Sequence, residues 1–128
     1  MTAKEHWKLE PDEHDYPAAH DYLSLVAPEP VASALVEALK NVSLSIRKAK
    51  DLLRASELPV LPDSNVHVVA DLQKIRQGQH LSPVLLVRGD LARGAPLTIA
   101  DGYHRVCASY HLDEDANIPC RLVDLPKL

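Results

Sequence analysis

The residues best suited to chemistry lie in Leu97-Thr98-Ile99-Ala100-Asp101-Gly102-Tyr103-His104-Arg105-Val106-Cys107-Ala108. A short apolar run stops at Asp101-Gly102, and a helical pattern opens with His104 and Arg105 in its first turn. Cations there oppose the helix dipole, so a sequence shaped by stability alone would place acids at that end. Unpaired N–H groups at a helix start, joined by an imidazole and a guanidinium, make a site for an anion such as phosphate. Gly102 lets the backbone come close to such a ligand. The expected contacts are Gly102, Tyr103, His104 and Arg105, with Asp101 beside them. On this reading Arg105 makes a charge-assisted contact to the anion and takes little part in the core. The plainer alternative has Asp101 capping the helix, with His104 and Arg105 merely solvated.

The other reactive residues are dispersed. There are seven histidines; His6 and His14 have no partner at helical spacing, and His104 and His111 lie two turns apart. No metal site is expected. The two cysteines, Cys107 and Cys120, suit neither a disulfide scaffold nor a metal cluster, and are expected to be buried thiols. Arg47, Lys48, Lys50 and Arg54 form a basic stretch that reads as a solvated helix face or, second, as a phosphate contact. Asp113-Glu114-Asp115 reads as a solvated acidic loop. Trp7, in a polar segment, is expected to anchor that segment on the domain.

The elements that must hold these groups suit one small α/β (α+β) domain: a mixed sheet with packed helices and a helical N-terminal section. Of 128 residues, 46% are hydrophobic and 25% charged, which excludes a disordered tail and a coiled coil. The net charge of -4 makes nucleic acid an unlikely partner without excluding a local basic patch. No apolar run is long enough for a membrane span or a signal peptide, so a cytoplasmic protein is expected. Residues 1–16 read as a flexible arm, 17–62 as the helical section and 63–128 as the α/β domain, with Leu58-Pro59-Val60-Leu61-Pro62 marking the boundary. Helices are expected from Pro17 to Val26 with Tyr22, Leu23 and Val26 on one side, around Val31–Leu39, and over Ile46–Leu53. A further helix ends near Gly78, and one follows Gly102. The run Val84-Leu85-Leu86-Val87 reads as a buried strand, joined by strands at 97–100 and 118–123.

From about Val66 to Leu125 the chain resembles the ParB/sulfiredoxin-like family. The landmarks are an upstream helix, the strand Val84-Leu85-Leu86-Val87-Arg88, the turn Gly102-Tyr103-His104-Arg105 with its Ala-containing helix, and the exit strand Ile118-Pro119-Cys120-Arg121-Leu122-Val123. Sulfiredoxins carry Gly-Cys-His-Arg at this turn and chromosome-partition proteins Gly-Glu-Arg-Arg; in both, the turn binds nucleotide phosphates. The resemblance adds His67 and Lys74, on the upstream helix, as second-tier contacts. Tyr103 replaces both the sulfiredoxin cysteine and the partition-protein glutamate, so neither activity carries over. The helix-turn-helix and dimerisation regions of partition proteins have no counterpart in these residues.

The leading expectation is a nucleotide- or phosphate-binding domain, with a nucleoside triphosphate and Mg2+ as the implied ligand. A phosphotransferase or nuclease of the same fold is the alternative, for which Asp101 and Asp63 are the nearest acids. The third is a regulatory interaction module with a vestigial pocket, binding a protein partner through residues 17–56.

Overall fold

The four residues Val84–Val87 form strand β2, and all four are buried. A strand with apolar side chains pointing both ways needs a layer on each face. The computed structural model, which describes residues 6–126, provides both layers. Leu85 and Val87 face Tyr16, Ala19, Leu23, Leu35 and Leu39 of helices α1 (Asp15–Val26) and α2 (Glu29–Asn41). Val84 and Leu86 face the opposite core. There Leu52 and Leu53 come from α3 (Ala49–Ser56), Val68, Leu72 and Ile75 from α4 (Val66–Arg76), and Val106 and Cys107 from α5 (Tyr103–Leu112).

The sheet contains β1 (Leu44–Lys48), β2, β3 (Thr98–Asp101) and β4 (Asn117–Val123) in the order β1-β4-β2-β3. β2 runs parallel to β4 and antiparallel to β3, and β1 runs antiparallel to β4. The mixed α/β class follows from this: α5 is the crossover that returns the chain from β3 to lie beside β2. Pro119 sits opposite Ile46, near the start of β4.

Four expectations need correction. Ile46–Leu53 is not one helix, because Leu44–Lys48 pairs with β4 and only Ala49–Ser56 is helical. Ile46 lies 58% exposed on that edge strand, and Ala49, Leu52 and Leu53 alone fill the core. Sheet pairing has overridden a weak local helical pattern. Helix α1 starts at Asp15 and buries Tyr16, Ala19 and Leu23, leaving Tyr22 and Val26 exposed.

The reading of 1–16 as a flexible arm fails over residues 6–16; residues 1–5 lie outside the described residues. Trp7 is only 6% exposed, and its segment pairs with Leu81 as a parallel bridge. The Leu81 N–H donates to the His6 carbonyl at 2.6 Å and the Lys8 N–H to the Leu81 carbonyl at 2.8 Å. The anchoring expected of Trp7 is what overcomes the polar character of its neighbours. Finally, the section 17–62 does not stand apart from 63–128. It supplies an edge strand of the shared sheet and most of the layer that covers Leu85 and Val87.

The charged segments also find partners. Lys50 and Lys48 reach Asp115 at 2.7 and 3.6 Å, so part of the basic stretch and the acidic loop neutralise each other at the surface. Among the described residues no helix is long and apolar enough to cross a membrane.

Candidate functional site

At the end of β3 the chain turns through Gly102, whose φ of 110° lies in a region that L side chains rarely adopt. A Cβ there would sit 2.9 Å from both a Val84 methyl and Arg105 Nη2. The tight turn presses the start of α5 onto the end of β2. Gly102, and not Asp101, is the N-cap; no side chain caps α5, and its first turn holds no acid. The first N–H groups of the helix therefore lack intrahelical acceptors. Helix α4, by contrast, is capped by Asn65, whose Oδ1 accepts from the N–H groups of His67 and Val68 at 3.0 and 3.2 Å.

The two helix starts meet at their histidines. The His67 and His104 rings stand 4.6 Å apart, tilted by 47°, and Tyr103 lies 5.7 Å from His104. The Tyr103 hydroxyl donates to the Pro59 carbonyl at 2.5 Å, and His111 donates from Nε2 to the Leu61 carbonyl at 2.6 Å. The 57–62 connection is thereby strapped along α5. Tyr103 can offer a ligand only its backbone N–H.

Arg105 is the main correction to the expected site. Its side chain is 17% exposed, and Nη2 donates to Asp101 at 2.9 Å and to Asp15 and the Pro83 carbonyl at 3.4 Å each. Nε is buried without a partner. Asp15 comes from the first turn of α1, 90 residues away in sequence, and its carboxylate also accepts from Ser82 Oγ. Arg105 is thus neither solvated nor detached from the core. It binds two carboxylates and ties the N-terminal layer to the turn. Burial pushes the Asp101 carboxyl up, against the pull of Arg105, and Asp15 beside it adds to the rise.

Of the second-tier residues, His67 joins His104, and Lys74 lies on α4 near Asp71. Asp71 is the group that sequence reasoning missed. It lies one turn beyond His67 on α4 and is 9% exposed, with Arg105, Lys74, His104 and His67 as its charged neighbours. Burial raises its carboxyl above the ordinary range although all four neighbours pull it down. The signal available was the i, i+4 pair His67–Asp71 on the helix that packs on α5. His104 is held below the ordinary imidazole value by burial first, then by His67; Asp71 opposes the shift. Asp63, the other acid considered, is exposed at the start of the loop before α4.

Cys107 lies one turn beyond Tyr103 on α5 and meets its side chain. Both thiols are free and buried; burial raises the Cys107 thiol and pushes Cys120 up to about 12. One set of possible metal donors exists among the described residues, Asp12, His14 and Asp15, with donor atoms within 4.8 Å of one another. Lys8 already holds Asp12 at 2.6 Å, and Asp15 is taken by Arg105 and Ser82. A separate groove of about 520 Å³ lies between α3 and the 88–97 connection, floored by Leu86, Leu97 and Leu122; none of Gly102–Arg105 lines it.

Compared with protein families, with characterised proteins and with solved structures, the chain has no match.

Proposed function

We propose that this protein is a nucleotide- or phosphate-binding domain of the ParB/sulfiredoxin-like kind, with its ligand at the start of α5. The observation that carries the reading is an uncapped helix N-terminus flanked by two imidazoles 4.6 Å apart. The Tyr103, His104 and Arg105 N–H groups would take the oxyanion, and His104 and His67 would add hydrogen bonds and, when protonated, charge. Gly102 gives the approach. Arg105 acts mainly by holding the turn, since its Nη2 is committed to Asp101 and Asp15.

The test is a thermal-shift screen of nucleoside triphosphates with and without Mg2+, followed by calorimetry on wild type and His104→Ala. Ligand at ten times its dissociation constant adds about 1.4 kcal/mol by mass action, a visible rise in melting temperature. The expected cost of His104→Ala is about tenfold in affinity, near the value of one hydrogen bond to a charged group. Binding unaffected by His104→Ala would move the site elsewhere. Stabilisation by no nucleotide or phosphate would favour the interaction module, for which the exposed Tyr22, Leu25 and Val26 of α1 are the available surface. Turnover would favour the phosphotransferase or nuclease.

A further inference from the structure

The groove between α3 and the 88–97 connection has a volume of about 520 Å³, within the range of small-ligand sites. Leu97 and Leu122 on its floor are left half-buried, and Ala55 and Pro96 carry the apolar surface up its two walls. Leu91, on the same rim, is 99% exposed. Most of the charges around it are paired: Arg88 with Asp124 at 2.6 Å, Asp51 with Arg54 at 3.7 Å and Asp90 with Arg93 at 3.6 Å. Two lining charges are not. Arg47 and Glu57 make no side-chain hydrogen bond and no ion pair among the described residues. They lie at opposite ends of α3, whose eight residues span about 12 Å. Arg47 stands opposite Ile118, and Ile118 and Leu122 share a face of β4, so its side chain leaves the sheet on the side of the groove floor.

We propose that this groove binds an amphiphilic monocarboxylate, its apolar chain laid over Leu97 and Leu122 and its carboxylate paired with Arg47. The chain covers apolar surface that the fold leaves wet. A guanidinium meets a carboxylate through two parallel N–H···O bonds, which an alcohol of the same length cannot reproduce. One negative charge is the limit, because Asp51, Glu57 and Asp90 line the same walls and would repel a second. None of Gly102–Arg105 lines the groove, so this site and the anion site at α5 stand or fall separately.

The experiment is an NMR titration of the intact protein with octanoate and with octanol, repeated on Arg47→Gln and Ala55→Trp. Octanoate is expected to shift the amide signals of Gly89, Leu91 and Leu97, and to bind about fivefold tighter than octanol, the effect of one partly exposed ion pair. Arg47→Gln should bring octanoate down to the level of octanol and leave octanol unchanged. Ala55→Trp, at an exposed position of α3, should fill the groove and abolish the binding of both. Equal binding of octanoate and octanol by wild type overturns the proposal, as does no binding of octanoate, even where a variant fails to fold. Octanoate that shifts Gly102–Arg105 in place of the groove amides overturns it too. So does a folded Arg47→Gln that keeps the fivefold preference, or a folded Ala55→Trp that binds octanoate as wild type does.

Discussion

Arg105 is the residue on which most depends, because two carboxylates are buried against it. Removing one partner of a buried ion pair leaves the other charge uncompensated, which costs on the order of 3–5 kcal/mol. With a sixth of the Arg105 side chain still wet, Arg105→Ala should lose about 3 kcal/mol in urea denaturation, a large share of the stability of a small domain. Adding Asp15→Asn should recover part of that loss, since one stranded charge disappears. A loss below about 1 kcal/mol would show that the guanidinium is not the hub. His104 makes a second prediction at this scale. Its folded-state value lies below the ordinary 6.5, so the unfolded chain binds more protons once pH falls through that point. Stability from this group is complete above about pH 6.5 and is lost as pH falls toward the folded-state value. Bound phosphate reverses the sign, because the imidazolium is then favoured and affinity rises with acidity. NMR titration of the His104 ring should show a midpoint below 6.5 in the free protein and a higher one with ligand. Asp71→Asn should lower the free value further, since Asp71 is the group that raises it.

Two turns decide how the elements meet. The Gly102 conformation and its contact with Val84 allow no side chain, so Gly102→Ala should cost about 2–3 kcal/mol, combining left-handed strain with the clash. It should also weaken anion binding, since the first turn of α5 must shift. An alanine variant of wild-type stability would mean that the turn relaxes freely. Glu57 is the contrasting case. It closes α3 at φ 59°, with its own N–H bonded to Arg54 O and the Leu58 N–H reaching back to Leu53 O at 3.3 Å. This is the arrangement that usually holds glycine, so Glu57→Gly should stabilise the fold by about 0.5–1 kcal/mol in thermal melts. A destabilised variant would show that the Glu57 side chain contributes contacts worth more than the strain.

At the scale of the whole molecule, the two cores share one sheet. A fragment comprising residues 63–128 would expose Leu85, Val87, Ala100 and Val123, lose the edge strand β1, and leave Arg105 without Asp15. It should be expanded and aggregation-prone, with no cooperative melt, whereas the full chain melts in a single transition. Cooperative unfolding of the fragment by circular dichroism would establish it as an independent unit. Trp7 is the single tryptophan and packs in the α3–α5 core, so its fluorescence should change with the same midpoint as the helical signal. An earlier fluorescence transition would mean that the N-terminal segment detaches first.

The sequence by itself determined what short-range physics controls. Val84–Val87 has to be a doubly covered strand because every residue in it is apolar, and the Asp101-Gly102 break before a helical pattern has to be a turn that only glycine permits. Helix α4, helix α5 and the three later strands follow from periodicity, and His104 and Arg105 from the placing of cations where a helix prefers acids; His67 is suggested only by the family resemblance. Tertiary structure decided the rest. Ile46–Lys48 carries a pattern compatible with helix, and only pairing with β4 makes it an edge strand. Trp7 and Asp15 lie in a polar segment whose docking depends on Leu81, Ser82 and Arg105, all distant in sequence. No local rule shows that a carboxylate at position 15 neutralises a guanidinium at 105. Nor does any show that the Asp71 side chain is largely buried. Charge and hydrogen-bond satisfaction are properties of three-dimensional neighbourhoods, and a linear pattern fixes only which groups need to be satisfied.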